Sequence, residues 1–242
     1  MHPAAPLDSP PSPHRPRKSR AALTAALLCV PSALLVLLVE LEWGPLRTLD
    51  GDIARTTHRW AVAHDDLTQA SRVLTDWVWD PWTMRALCAV AVVWLAFRGA
   101  YRLGLWIAAT CAVGTLVQQG LKAAVDKPRP AWPDPVDSAH FAAFPSGHAL
   151  TATVACGLLL WLLRLYGVGP AVWRTGVTIA AVSVVGVGVT RIWNGVHWPS
   201  DVVGGWLLGA LMVALAIATY THRPGEQPGE GAGDAAPRDE TA

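Results

Sequence analysis

Charge is what this sequence has least of. Asp, Glu, Lys and Arg make up 15% of its 242 residues, where a soluble domain carries roughly 25%, so its surface does not suit a chain folded in water. Lys plus Arg number 19 and Asp plus Glu 18. That balance gives no whole-chain electrostatic reason to expect nucleic acid as a partner. Cysteine is scarce as well: Cys29, Cys88, Cys111 and Cys156 each sit inside an apolar stretch without C-x-x-C spacing, which reads as buried thiols and not as a disulfide framework or a zinc site. What is abundant is apolar sequence, 52% of the chain, gathered in runs long enough to need a solvent other than water.

Ala21–Val39 is an uncharged run of about 19 residues, nearly 30 Å as a helix, which matches the hydrocarbon thickness of a bilayer. It exceeds a signal-peptide core, and Leu28 stands before Cys29 where a lipoprotein signal has a small residue, so the run is kept as a span. Further runs at 82–97, 101–121, 147–166, 171–190 and 199–220 complete six. The second is the weakest, because Arg85 intrudes, but an arginine near a helix end can snorkel to the interface. Trp43, Trp77, Trp79, Trp82, Trp173 and Trp198 cluster near span ends, where the indole prefers the headgroup level. The expected fold is all-α: a polytopic membrane bundle of six transmembrane helices over residues 21–220.

Residues 42–81 mix Asp50, Asp52, Arg55, Arg59, Asp65, Asp66 and Asp76 with Ile53, Val62, Leu67, Val73 and Leu74, a spacing that suits an amphipathic helix on the membrane surface. The Pro- and Ser-rich residues 1–20 and the Gly-, Pro-, Glu- and Asp-rich residues 221–242 read as disordered tails. Lys and Arg counted over all connections fall about equally on both sides and do not decide the orientation. Arg15, Arg17, Lys18 and Arg20 precede the first span while Glu40 and Glu42 follow it, a lean that puts the N-terminus in the cytoplasm and, by parity, the first, third and fifth connections outside.

Polar residues gather in two of those outer connections. One holds Lys122, Arg129 and Pro130, then Pro145-Ser146-Gly147-His148; the other holds Thr190-Arg191, His197 and Asp201. Pro128 and Pro130 forbid regular helix, so Lys122 and Arg129 reach a common point from a helix end and an extended turn, as two fixed cations suited to an oxyanion. Ser146 is a natural N-cap, Gly147 lets the backbone approach closely, and the free N–H groups of that helix end bind phosphate. His148 sits at the rim of such a site as a proton donor. Pro199 places the start of the last helix near His197–Pro199, with Asp201 in its first turn. At four residues' spacing the carboxylate can hold the imidazole N–H and leave the other ring nitrogen as a nucleophile, while Arg191 offers a planar fork to phosphoryl oxygens. Each stretch alone has a plainer account: basic residues snorkelling into anionic headgroups, a serine cap with an incidental histidine, or an Arg–Asp–His network stitching two helices.

Taken in order, K-x6-R-P, P-S-G-H and T-R-x5-H-x3-D resemble the three signature motifs of the type-2 phosphatidic acid phosphatase superfamily, which includes integral-membrane lipid phosphate phosphatases and, more remotely, vanadium haloperoxidases. The resemblance covers about residues 100–220, and Thr190 stands where serine is usual. It implies that His197 attacks phosphorus to form a phosphohistidine, oriented by Asp201; that His148 protonates the leaving oxygen and later activates water; and that Lys122, Arg129, Arg191 and the amides near Ser146 and Gly147 hold the phosphoryl oxygens. No metal or other cofactor is implied, and no Asp/Glu cluster with ligand spacing lies near the motifs. A phosphate site at the bilayer rim, flanked by Phe141, Phe144, Trp193 and Trp198, suits a lipid mono- or diphosphate: phosphatidic acid, phosphatidylglycerol phosphate or a polyprenyl diphosphate. In a bacterium the site would face the outer surface of the cytoplasmic membrane. Two other readings use the same cations: a phosphotransferase with an alcohol in place of water, and a non-catalytic lipid-phosphate binding or transport protein. The sequence assigns no oligomeric state.

Overall fold

A computed structural model describes residues 16–220. Its helices are α1 (Pro16–Glu40), α2 (Gly44–Ala63), α3 (Asp65–Val73), α4 (Pro81–Phe97), α5 (Tyr101–Val125), α6 (Gly147–Leu165), α7 (Pro170–Trp193) and α8 (Pro199–Thr219), with a π-helical turn, Leu74–Val78, between α3 and α4. The tails expected to be disordered lie outside the described residues, except that 16–20 already belong to α1, which therefore starts before the expected Ala21. Six stretches are long and apolar enough to cross a membrane: Arg20–Glu40, Asp65–Phe97, Tyr101–Val125, Gly147–Leu165, Pro170–Trp193 and Pro199–Thr219. The protein is a multi-pass membrane protein.

The expected second span, 82–97, coincides with α4, and the helical stretch that contains it runs back through the π-helical turn and α3 to Asp65. α4 starts from an aspartate cap, the Asp80 carboxylate accepting the Trp82 N–H at 2.6 Å, with Pro81 in the first turn. Arg85 is accommodated close to that end, its guanidinium 5.4 Å from the centre of the Trp82 ring.

Bundle cohesion rests on small residues. Along the seam between α6 and α8, a Cβ at Gly205 would lie 2.7 Å from the Ser146 carbonyl oxygen, and one at Gly209 would lie 3.0 Å from that of Leu150. Lipid is as apolar as leucine, so helices in a bilayer hold together by close backbone approach and not by expelling water, and glycines four apart permit it. Leu95, Ile107, Leu150, Leu158 and Val187 fill the interior, while Leu27, Leu105 and Ile179 face outward, as expected where the solvent is hydrocarbon.

The connection 42–81 departs from the single surface helix that its spacing suggested. It is broken at His64, whose non-helical backbone (φ −132°, ψ 73°) joins α2 to α3. Both helices pack on the bundle, α2 against α7 and α8 and α3 against α7. Their buried face carries Asp50, His58, Thr68 and Ser71 beside Ala54 and Ala61, while the outer face mixes charge, Asp52, Arg55, Arg59, Asp65 and Asp66, with apolar Leu49, Trp60 and Leu67. The two helices thus form a roof over the bundle that also holds polar groups on its inner face.

Candidate active site

The end of α5 releases the chain toward the site. Asp126 closes the helix in the left-handed region (φ 42°), and the proline-rich run that follows leaves the helix axis. Lys122, in the last turn of α5, is buried and donates to the carbonyl of Ala142. Arg129 uses all three nitrogens: Nε donates to the Phe141 carbonyl at 2.9 Å, Nη2 to that of His140 at 3.0 Å, and Nη1 to that of Val196 at 2.6 Å, with His197 Nε2 3.1 Å from Nη1. One guanidinium therefore ties the first polar connection to the second.

That last contact fixes the tautomer of His197. A guanidinium can only donate, so Nε2 must accept, and the ring proton sits on Nδ1. Nδ1 lies 3.3 Å from Asp201 Oδ2, and the same oxygen accepts the Trp198 N–H at 2.9 Å. His197 is 2% exposed and Asp201 fully buried. Burial, followed by the charges of Arg191, Arg129 and Lys122, holds the imidazole pKa well below its ordinary value of 6.5, so the ring is neutral with a lone pair on Nε2. Burial also lowers the Arg129 guanidinium from its ordinary value, against the pull of Asp201.

The start of α6 meets the start of α8. Ser146 caps α6, its Oγ accepting the Ala149 N–H at 3.5 Å, while its own N–H donates to the Asp201 carbonyl at 2.9 Å. The Ser146 amide is thus committed to α8, a correction to its expected place among the phosphate donors; the first-turn N–H groups of Gly147 and His148 have no partner within the helix. Gly147 owes its identity to α5, because a Cβ there would come 2.6 Å from Gln118 Nε2. His148 is half-buried.

Arg191, in the last turn of α7, is 4% exposed; its Nη1 is 3.8 Å from Asp137 Oδ2, and its Nε has no hydrogen-bond partner among the described residues. A buried guanidinium nitrogen in that state is suited to an oxyanion. The chain then turns at Gly195 (φ 69°), where a side chain would collide with the Trp132 indole 2.6 Å away, and Pro199 opens α8 as expected. Of the aromatics expected to flank the site, Phe141 is 85% exposed, whereas Phe144 is fully buried, because its ring packs against the bare backbone of Gly204. Trp193 and Trp198 are hydrogen-bonded to Thr68 Oγ1 and the Pro128 carbonyl.

The structure adds residues that no motif marked. Lys127 Nζ touches Asp201 Oδ1 at 2.9 Å, Asp50 Oδ2 at 3.0 Å and Ser200 Oγ at 2.7 Å. Ser71 donates to Asn194 Oδ1 at 2.7 Å, and Asn194 Nδ2 lies 3.3 Å from Asp137 Oδ2. His58 stacks on Trp132 with ring centres 4.1 Å apart, its Nε2 3.1 Å from Asp134 Oδ1. A cavity of about 480 Å³ bordered by Leu38, Val39, Arg47 and Trp198 opens on the far side of Asp50 and Lys127, and neither His197 nor Arg191 lines it. Asp50 and Ser71 gave only a faint sequence signal, because α2 and α3 carry other polar residues, Asp52, Arg55 and Asp65 among them, on their exposed face.

Comparison with known proteins places this geometry. The curated relatives include an undecaprenyl-diphosphatase of Sulfolobus acidocaldarius, 26% identical over 158 residues, which cover 62% of this chain and 66% of that protein. They also include a phosphatidylglycerophosphatase B of Bacillus subtilis, 31% identical over 113 residues, 46% of this chain and 55% of that one. The matches thus span between half and two thirds of the relatives' lengths. Among solved structures, a transmembrane PAP2 type phosphatidylglycerolphosphate phosphatase from Bacillus subtilis shares the fold, with a TM-score of 0.70 and 21% identity over 80% of this chain and 94% of that one. The family profile described as PAP2 superfamily matches residues 103–224, the part of the chain that carries all three polar stretches, and the chain belongs to that superfamily.

Proposed function

We propose that this protein is a phosphatase that hydrolyses a lipid phosphate or diphosphate without a metal, through a phosphohistidine, at the outer face of a bacterial cytoplasmic membrane. The observation that carries the reading is the buried His197: Nδ1 faces a carboxylate, Nε2 carries the lone pair, and an arginine stands 3.1 Å from that nitrogen. In the first half-reaction Nε2 attacks phosphorus as the bond to the lipid oxygen breaks, and His148 gives that oxygen its proton. In the second, His148 takes a proton from water, the water oxygen bonds phosphorus, and the P–N bond breaks to return Nε2. Lys122, Arg129, Arg191 and the amides of Gly147 and His148 carry the charge of the phosphoryl oxygens, the task Mg²⁺ performs in many other phosphoryl-transfer enzymes.

The names of both relatives, a diphosphatase of a polyprenyl chain and a phosphatase of a glycerophospholipid, support a lipid-linked phosphate as substrate. The asymmetry of four basic residues before the first span against Glu40 and Glu42 after it supports the outward-facing site.

The test is phosphate release from dioctanoyl phosphatidic acid by the purified protein in EDTA, beside His197→Ala. We expect turnover in EDTA and a loss of at least about 10⁴-fold in the variant. Undiminished turnover by His197→Ala would remove the nucleophile, and transfer of the phosphoryl group to an added alcohol in place of release would make the protein a phosphotransferase. A tag at Ala242 that reacts only after the membrane is permeabilised supports the orientation.

A further inference from the structure

Behind the nucleophile lies a second polar cluster that joins three distant parts of the chain. Asp201 is fully buried and Asp50, from α2, is 3% exposed. A lysine ammonium has three protons, and Lys127 has three acceptors for them: Asp201 Oδ1, Asp50 Oδ2 and Ser200 Oγ, all within 3.0 Å. Ser200 passes its own hydroxyl proton to Asp50 Oδ2 at 2.5 Å, and its first-turn N–H donates to Asp50 Oδ1 at 2.9 Å. Donors and acceptors are matched throughout, as buried polar networks must be if they are to hold a fixed geometry.

We infer that Lys127 and Asp50 are positioning residues for the His197–Asp201 pair: the lysine clamps the carboxylate that holds the ring, and Asp50 draws off part of the lysine's charge so that Asp201 stays negative toward the imidazole. The inference rests on the histidine nucleophile proposed above. Two carboxylates and one ammonium leave this cluster one negative charge in surplus. When Nε2 bonds to phosphorus the imidazole becomes cationic, and the surplus becomes its counter-charge, buried beside it. The other charged or titratable groups facing His197 are the cations Arg129, Arg191 and Lys122, together with His148, and on the substrate side these serve the phosphate and its leaving oxygen. Asp50 and Asp201 with Lys127 therefore set the balance on the Nδ1 side. Without Asp50, Lys127 would neutralise Asp201 alone and the ring would lose its counter-charge. Without Lys127, two carboxylates sharing Ser200 would repel, and Asp201 would lose the contact that fixes its plane.

The experiment compares Lys127→Met, Lys127→Arg and Asp50→Asn with the wild type and His197→Ala, in detergent, on dioctanoyl phosphatidic acid. Outer partners of a reacting group typically alter activity by about 10–100-fold. We expect kcat to fall about 100-fold in Lys127→Met and about tenfold in Asp50→Asn with KM within about threefold, and Lys127→Arg to recover at least about a tenth of wild-type kcat. The acid-side inflection of kcat/KM should move in opposite directions: up in Lys127→Met, which removes a cation near the ring, and down in Asp50→Asn, which removes an anion. A purely structural role would slow both variants without that split. Wild-type kcat in Lys127→Met and Asp50→Asn, or inflections that do not separate, would overturn the inference. If His197→Ala is dead while these variants run at full speed, only this inference falls; if His197→Ala also turns over, the reaction itself was misassigned. Should Lys127→Met fail to elute as a folded species, Asp50→Asn decides alone, since asparagine keeps the size and one of the two oxygens that accept from Ser200.

Discussion

The seam between α6 and α8 and the roof of α2 and α3 hold the same site from two sides by opposite means. At the seam there is almost nothing to see: Gly205 and Gly209 let backbone meet backbone, and at its end the Ser146 N–H donates to the Asp201 carbonyl. The roof works through side chains, with Asp50, His58 and Ser71 bonded to Ser200, Asp134 and Asn194. Dispersion and close approach suit the part of the bundle that sits in hydrocarbon, where a polar contact has no water to compete with but also none to rescue it. Hydrogen bonds suit the part at the interface, where they can fix the loops without closing them off. The seam should therefore fail all at once, and the roof by degrees.

Gly205→Val tests the seam. Its side chain would have to enter a 2.7 Å gap against backbone, and we expect about 3 kcal/mol of destabilisation together with loss of turnover, read from thermal unfolding in detergent and from phosphate release. Replacement of Arg129 by lysine tests the stitch between the two polar connections: a point charge cannot reach the carbonyls of Phe141, His140 and Val196 together, and kcat/KM should drop about 10²-fold with little change in Tm. Ser71→Ala probes the roof, leaving the Asn194 oxygen without its 2.7 Å donor; about 1–2 kcal/mol of stability should go, with kcat within about threefold. The pH profile sharpens the comparison without a mutation. Burial and the surrounding cations disfavour the imidazolium of His197, so the neutral nucleophile persists as pH falls, and the acid-side inflection of kcat/KM should lie below that of an ordinary histidine, about 6.5. The smallest effect is expected at Thr190→Ser. Its hydroxyl donates to the Val187 carbonyl of its own helix at 3.0 Å, a bond serine can make, and rates should agree within about twofold.

Much of this was legible in the residues. Six apolar runs gave the spans, because span length is dictated by bilayer thickness and leaves a long signal. The three polar stretches stood out against that background, and proline placement located the start of α8. What the sequence did not reveal was mostly long-range pairing. Asp50 and Ser200 are 150 positions apart, and Lys127 and Asp201 74, so neither pair has a local pattern. Ser146 misled for a related reason: its type announces a cap, but nothing in the type says that its amide is already bonded to another helix. Position in the chain sets Phe144 beside Phe141 at the flank of the site, yet the glycine opposite it on α8 offers a slot that only packing reveals. The break at His64 hid inside an otherwise continuous amphipathic pattern, since no glycine or proline marks it.

The Ser146–Asp201 tie has one more consequence. It brings the amino ends of α6 and α8 together, and each such end behaves as roughly half a positive elementary charge, because peptide dipoles add along the axis. Two of them converging amount to about one permanent positive charge that belongs to no side chain, does not titrate, and survives every alanine substitution. An enzyme stripped of Lys122, Arg129 and Arg191 one at a time should for that reason keep a residual pull on anions, and orthovanadate, a tetrahedral oxyanion, is the probe that would register it.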